Sequence, residues 1–203
     1  MAVTRVKLVA VTERSEKSVA VLVSGSGTLL QSILDNQDES YRVNLVVADT
    51  DCPALERASA AGVRTEVVEL AGDREEWNLR LRDAVVGGQP DIVVSAGFMR
   101  IVGPDFLERF EGRLINTHPA LLPSFPGAHA VRDALAYGVK VTGTTVHFID
   151  AGVDTGEIIA QKAVEIREGE TEAELHERIK VQERALIVDV LRSAHIDNGK
   201  VHF

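Results

Sequence analysis

The stretch SVAVLVSGSGTLLQSILDNQ, residues 18–37, decides the fold. Its first seven residues, Ser18–Ser24, are rich in β-branched side chains and are bounded by charge and glycine, which is typical of a buried parallel strand. After the glycines, Leu29, Leu30 and Ile33 recur at helical spacing. A buried strand that leads through a glycine-rich turn into a helix is the first unit of a doubly wound parallel sheet.

The same alternation of strand and helix continues along the chain. Further strands are predicted at 43–49, 63–70, 91–97, up to 116, 141–149 and 158–166. Helices are predicted at 53–61, 73–86, 104–110, 128–138 and from about 172 to 194. The close succession of strands within 141–166 indicates antiparallel pairing. We therefore predict a single α/β domain with a Rossmann-like, doubly wound, mostly parallel sheet and antiparallel additions in its C-terminal half.

The composition excludes several kinds of site. Apolar residues make up 45% of the 203 residues, enough for a hydrophobic core. The single cysteine, Cys52, excludes an intrachain disulfide and favours a reducing compartment. The histidines show no HxxxH or Cys/His spacing, so we predict no metal site. The six histidines are His118, His129, His147, His176, His195 and His202.

Charge and hydropathy bear on partners and location. The net charge of −9 opposes long-range attraction to nucleic acid, so none is predicted as a partner. No apolar run reaches the roughly 18 residues of a membrane helix, and residues 1–17 lack the apolar segment of a secretory signal. We predict a cytoplasmic protein without a membrane partner, with an N-terminal extension at 1–17 and a domain at 18–203. Residues 6–11, VKLVAV, could add an edge strand.

The loop SGSGT, residues 24–28, is a candidate anion site. It lies between the first strand and the first helix, where backbone amides and the helix N-terminus attract anions. The dinucleotide fingerprint requires a third glycine where Leu30 stands, and no Gly-Lys-Ser/Thr follows. The loop therefore fits a single phosphate better than a pyrophosphate, and a tight turn without a ligand is the alternative.

The stretch LINTHPALLPSFPG, residues 114–127, places Asn116 and His118 two residues apart at a predicted strand end. In an extended segment these side chains can face the same side, at the sheet edge where open α/β proteins bind ligands. An amide donor and an imidazole suit a carbonyl that becomes an oxyanion. The alternative is a structural asparagine in an Asx turn beside a partly exposed histidine.

Two further loops follow predicted strands. DAGVDTGE, residues 150–157, carries Asp150 and Asp154. An aspartate close to His118 would favour the imidazolium, whereas a solvated acidic turn is the alternative. SAGFMRIVGP, residues 95–104, is an apolar stretch interrupted by one arginine. It would suit a flat heteroaromatic ring, or it is a strand that passes into core packing.

These four stretches, in this order and at these separations, closely resemble the phosphoribosylglycinamide formyltransferases, folate-dependent enzymes of purine synthesis. The resemblance covers the chain from about Val19 to the C-terminal helix. The run Asn-x-His-Pro-x-Leu-Leu-Pro from Asn116, with a later Asp-x-Gly at Asp154, is specific to formyl-folate transferases and their relatives. The resemblance implies transfer of the formyl group of 10-formyltetrahydrofolate to the amine of 5-phosphoribosylglycinamide in IMP synthesis. Formyl-folate would be a cosubstrate, with no tightly bound cofactor.

The resemblance also implies site residues, in a phosphate-binding half at about 18–110 and a folate-binding and catalytic half at about 111–203. The implied catalytic residues are Asn116, His118 and Asp154. The implied contacts to the ribonucleotide are Gly25, Ser26, Gly27, Thr28, Leu29, Lys180 and Glu183. The implied contacts to folate are Arg74, Phe98, Met99, Arg100, Ile101, Val102, Asn116, Ile149, Asp150, Ala151, Gly152 and Val153.

The phosphate loop departs from the family pattern. The family often has Ser-Gly-x-Gly-Ser-Asn, where this chain has Thr28 and Leu29. A side-chain amide contact is therefore lost at Leu29, while a backbone amide contact remains available.

Other functions share parts of this pattern. Methionyl-tRNA formyltransferases carry a further domain for tRNA, and formyltetrahydrofolate deformylases usually carry an N-terminal regulatory domain, for which we expect no room here. A non-catalytic nucleotide- or folate-binding module is a third alternative, since fold does not fix function. The intact set Asn116, His118 and Asp154 argues against it. The predicted partners are small-molecule substrates, and the chain is expected to be a monomer or a homodimer.

Overall fold

The computed structural model describes residues 16–197 and 199–203. The elements of the first half are β1 (Lys17–Val23), α1 (Thr28–Asp35), β2 (Tyr41–Ala48), α2 (Pro53–Ala60), β3 (Arg64–Val67), α3 (Arg74–Val86), β4 (Ile92–Ser95) and α4 (Pro104–Arg109). Those of the second half are β5 (Leu114–His118), α5 (Ala130–Tyr137), β6 (Val141–Phe148), β7 (Ile158–Glu165), α6 (Glu172–Ser193), β8 (His195–Asp197) and β9 (Lys200–His202).

One seven-stranded sheet organises the domain, in the order β3-β2-β1-β4-β5-β6-β7. Strands β1 to β5 pair in parallel, β6 pairs antiparallel with β5, and β7 pairs antiparallel with β6. The predicted fold is thereby confirmed, including the antiparallel additions at the C-terminal end. The strand order reverses between β1 and β4, so the loops after these strands flank the crevice where open α/β sheets bind ligands.

Both faces of the sheet are covered by helices. In β1, Val19, Val21 and Val23 join the apolar cluster that contains residues of α1 and α6. The intervening Ala20 and Leu22 join the cluster built from α3 and α4. Successive strand side chains point to opposite faces, so a segment that is buried on both sides must be apolar, as residues 19–23 of β1 are.

Local signals place the helix starts. Asp73 is the N-cap of α3, and its carboxylate accepts hydrogen bonds from the amides of Glu75 and Glu76 at 2.8 and 3.0 Å. Thr171 and Glu174 form a capping box at the start of α6. Such caps satisfy amide groups that have no partner inside the helix.

The start of the domain differs from the prediction by one residue. Strand β1 begins at Lys17, one residue before the predicted start of the domain. Residues 1–15 of the predicted extension, including the possible strand at 6–11, lie outside the described residues.

Strands β3, β5, β8 and β9 also differ from the prediction. Strand β3 is shorter than predicted, because the chain turns away from β2 after the bond from the Val68 amide to the Ala48 carbonyl. Strand β5 continues to His118 instead of ending at Asn116, because β6 pairs with it along that length. The hairpin of β8 and β9 was not predicted, since three-residue strands are too short to show a periodic pattern.

No helix among the described residues is both long enough and apolar enough to cross a membrane.

Candidate active site

Strand β5 holds the two polar side chains of the NTH segment. Asn116 lies opposite Ser95 of β4 and His147 of β6, and His118 lies opposite Thr145 of β6. The two residues are two positions apart on one strand, so their side chains point to the same face. His118 is buried, with 4% of its surface exposed. The expected common orientation of this pair is therefore present.

His118 lies between two oxygen acceptors. Its Nδ1 is 3.3 Å from Oδ2 of Asp154, and its Nε2 is 2.8 Å from the carbonyl oxygen of Phe125. A neutral imidazole has only one N–H, so only the doubly protonated ring can donate to both oxygens. Phe125 has a φ of 55°, a region that non-glycine residues rarely adopt, and this conformation accompanies the contact of its carbonyl with the ring.

Asp154 lies in the loop between β6 and β7 and reaches back to the end of β5. Its φ is 54°, and its Oδ2 accepts a hydrogen bond from the Gly127 amide at 2.8 Å. Its other oxygen, Oδ1, is 3.6 Å from Nε2 of His147. The carboxylate thus links the loop after β5 to two histidines. The structure brings the predicted Asn116, His118 and Asp154 into one cluster.

His147 belongs to this cluster but was not singled out from the sequence. It is 2% exposed, its Nδ1 is 2.8 Å from the Phe148 carbonyl, and its Nε2 is 3.4 Å from Nδ2 of Asn116. Burial lowers its pKa, against the opposing effects of the Phe148 carbonyl and Asp154. The signal that could have revealed it is the antiparallel pairing of β5 with β6, which puts His147 opposite Asn116.

A cavity of about 250 Å³ opens beside the cluster. Asn116, His147 and Asp154 line it, whereas His118 is not among its lining residues. The predicted folate contacts that line it are Phe98, Arg100, Ile101, Val102, Asn116, Ile149, Asp150, Ala151, Gly152 and Val153. Sequence reasoning missed five lining residues, namely Leu22, Ser95, Leu107, Leu114 and His147.

Two predicted folate residues lie outside the lining of this cavity. Met99 is 77% exposed, and its amide donates to the hydroxyl of Ser24 at 2.8 Å. Arg74 donates to the carbonyl of Ile101 at 2.8 Å and therefore braces the loop that forms the cavity wall.

Arg100 is held by an aspartate that the sequence did not suggest. Its Nε lies 2.6 Å from Oδ2 of Asp49, a buried residue just after β2. Arg100 itself is 40% exposed in its side chain. Arg100 is thus both anchored to a buried carboxylate and part of the cavity lining.

The glycine loop after β1 offers backbone groups. Gly27 has a φ of 69° and is the N-cap of α1, without a side-chain hydrogen bond to the first amides of the helix. A Cβ at Gly27 would lie 2.7 Å from Cβ of Ala54, so only glycine allows α2 to approach this closely. Leu29 is buried in the core, which leaves only its backbone for a ligand. Arg57, also missed, braces the loop through a 2.8 Å bond to the Ser26 carbonyl.

Helix α6 carries the predicted Lys180 and Glu183. Lys180 forms an ion pair with Glu177 at 2.8 Å. Burial raises the pKa of Glu183, while the Thr117 hydroxyl, Lys180, Arg184 and His118 act in the opposite direction. Glu183 therefore lies next to the segment that carries Asn116 and His118, although Lys180 and Glu183 do not pair with each other directly.

Across residues 16–197 and 199–203, no group of three or more histidine, cysteine or acidic side chains is arranged to hold a metal ion.

A sequence profile described as formyl transferase matches residues 17–191. This chain belongs to the formyl transferase family. This formyl transferase is 55% identical over 174 residues to the phosphoribosylglycinamide formyltransferase of Mycobacterium tuberculosis (strain H37Rv), an alignment that covers 84% of this chain and 81% of the relative. It is 38% identical over 175 residues to the enzyme of the same name from Escherichia coli (strain K12), covering 83% and 82%.

Solved structures match this formyl transferase over most of its length. Glycinamide ribonucleotide transformylase 1 from Symbiobacterium toebii superposes with a TM-score of 0.86 at 40% identity, covering 93% of this chain and 94% of that one. The phosphoribosylglycinamide formyltransferase of Streptococcus pneumoniae TIGR4 superposes with a TM-score of 0.81 at 38% identity, covering 87% and 98%.

Proposed function

We propose that this formyl transferase transfers the formyl group of 10-formyltetrahydrofolate to the amine of 5-phosphoribosylglycinamide, a step of purine synthesis. The observation that carries the proposal is the cluster of Asn116, His118 and Asp154 at the edge of an apolar cavity. The two relatives named phosphoribosylglycinamide formyltransferase, at 55% and 38% identity, support the choice of substrates.

The cavity suits the ring portion of the folate. Its volume of about 250 Å³ is below the roughly 300–1,000 Å³ that encloses whole drug-sized ligands. The ring would lie between the segment from Phe98 to Val102 and the loop from Ile149 to Val153. The rest of the cosubstrate would leave the cavity past the exposed Ile101 and Val153.

The ribonucleotide would lie on the other side of the cluster. Its phosphate would bind to the free amides of Gly25–Leu29, where the N-terminus of α1 favours negative charge. Lys180 would add a positive charge after leaving Glu177, and Glu183 would accept hydrogen bonds from the ribose.

The reaction begins when the ribonucleotide amine attacks the formyl carbon. A new C–N bond forms, and the formyl oxygen becomes an oxyanion. Asn116 donates its amide hydrogen to this oxygen, which stabilises the charge in a partly dry site. The bond from the formyl carbon to the folate nitrogen then breaks, and the proton lost by the amine passes to that nitrogen.

His118 and Asp154 supply charge and proton transfer. Since both ring nitrogens of His118 already face protein oxygens, the imidazolium acts first as a nearby positive charge. A direct hydrogen bond to the oxyanion requires the release of one contact, and the contact to Asp154 is the longer of the two. Asp154 can then carry the proton from the amine towards the folate nitrogen.

A coupled assay tests the proposal by following the loss of formyl-folate with and without glycinamide ribonucleotide. We expect turnover only when both substrates are present. Formate release without the ribonucleotide would instead identify a hydrolase, and binding of both ligands without turnover would identify a binding module. The cytoplasmic location, the absence of a nucleic-acid partner and the choice between monomer and homodimer stay predictions.

A further inference from the structure

His147 contacts two of the three proposed catalytic residues, yet the reaction described above gives it no part. We propose that His147 is a positioning residue, which holds the Asn116 amide in its donating orientation and does so only as the neutral imidazole. This inference rests on the proposed formyl transfer.

The tautomer of His147 is set by its own strand. Its Nδ1 lies 2.8 Å from the Phe148 carbonyl, which can only accept a hydrogen bond. The proton of the neutral ring is therefore on Nδ1, and Nε2 carries a lone pair. Asn116 Nδ2, which can only donate, lies 3.4 Å from that lone pair.

The contact decides which way the Asn116 amide points. An asparagine amide has an NH₂ end and an oxygen end, and rotation by half a turn exchanges them. With one N–H directed at His147, the second N–H of Nδ2 remains for the formyl oxygen at the cavity. The reversed amide would face the developing oxyanion with its own oxygen, which repels it.

Protonation of His147 would leave the bond from Nδ1 to the Phe148 carbonyl in place and would turn Nε2 from an acceptor into a donor. A hydrogen on Nε2 would face the NH₂ group of Asn116 and would favour Asp154 Oδ1, now 3.6 Å away. An ion pair there would compete with His118 for the Asp154 carboxylate. A charged His147 therefore disturbs the amide and the carboxylate together.

The groups around His147 favour the neutral ring. Burial is the largest influence and lowers its pKa, and His118 acts in the same direction. The Phe148 carbonyl, Asp154 and Asp150 act in the opposite direction. A lowered pKa favours the neutral ring at neutral pH. Turnover supported by His147 should accordingly be complete at neutral pH and be lost as the pH falls through this lowered pKa.

Steady-state kinetics of His147→Ala and His147→Gln test the inference. In His147→Ala we expect kcat to fall about tenfold at neutral pH, with both KM values within about twofold of wild type. The side-chain oxygen of glutamine can accept from Asn116 and does not titrate. His147→Gln should therefore recover most of kcat and should lack the loss of activity at acid pH.

His176→Gln is the matched control, because His176 is a half-buried histidine of α6 whose pKa burial also lowers. This variant should keep the acid limb of the wild type. Wild-type kcat and an unchanged acid limb in His147→Ala would overturn the inference, as would a His147→Gln variant that is as impaired as His147→Ala.

An NMR titration separates this inference from the proposed function. In the wild type, the side-chain amide signals of Asn116 should shift with the same pKa as the His147 ring, and His147→Gln should abolish that shift. Independent titrations would refute the positioning role. Absence of formyl transfer in the wild type would refute only the proposed function, since the amide signals are read without turnover.

Discussion

The glycine loop after β1 and the cluster around Asn116 present different kinds of groups to a ligand. The loop offers backbone amides, while the side chain of Leu29 points into the core and that of Thr28 is exposed. The cluster offers side-chain atoms, and its backbone conformations, such as the positive φ of Asp154, hold them in place. A substitution in the loop should therefore affect activity little unless it changes the backbone geometry. A substitution of a cluster side chain should affect activity strongly.

The largest effect should come from removing a cluster side chain. In Asn116→Ala and in His118→Ala we expect kcat to fall by about 10²–10³. The first variant loses a hydrogen-bond donor to the oxyanion, and the second loses the positive charge beside it. Single-turnover kinetics with both substrates would measure the chemical step. His202→Ala, an exposed histidine of β9, should stay within about twofold of wild type. Near-normal turnover in either cluster variant would remove the basis for the comparison.

An intermediate effect should come from a change of loop backbone geometry. Gly27→Ala forces alanine to a φ of 69° and places its Cβ 2.7 Å from Cβ of Ala54, so we expect about 2 kcal/mol less unfolding free energy. KM for the ribonucleotide should rise as the loop shifts.

Gly25→Ala is the matched control for Gly27→Ala, since a Cβ at Gly25 meets no atom within 4 Å. Its unfolding free energy, measured in urea, should stay within about 0.5 kcal/mol of wild type. Equal destabilisation of the two variants would show that the strain assigned to Gly27 is wrong.

The smallest effect should come from a loop side chain. Thr28→Ala removes an exposed hydroxyl and keeps the backbone amide, so we expect KM for the ribonucleotide to rise by no more than about threefold. Initial-rate measurements at saturating formyl-folate would give this value. A rise of a hundredfold would mean that the hydroxyl, and not the backbone, carries the contact.

The sequence was sufficient to predict the elements that show a strong apolar period or a residue typical of an element end. The apolar run of β1 and the first residues of α2 and α3 depend on local signals, and each element begins within one residue of its predicted position. Strands β8 and β9 carry too few residues to show a period. The end of β5 depended on its pairing with β6, which is a long-range contact.

The cluster could be predicted only in part. The strand pattern placed Asn116 and His118 on one face, but the contact of Asp154 with His118 depends on a positive φ and on the Gly127 amide. Neither is visible in residue spacing. His147 was missed because its importance arises from a cross-strand partner, and a lone histidine in a buried strand gives no signal of its own.

The bond of Lys17 with the end of α6 has a consequence for when the site is completed during synthesis. The Lys17 ammonium lies 2.5 Å from the carbonyl of Ala194, 177 residues further along the chain, and 3.3 Å from that of Arg192. A ribosome releases the glycine loop long before α6 emerges. If the ribonucleotide binds as proposed, a nascent chain that has exposed the glycine loop still lacks Lys180 and Glu183, and the complete site forms only after the end of α6 has reached Lys17.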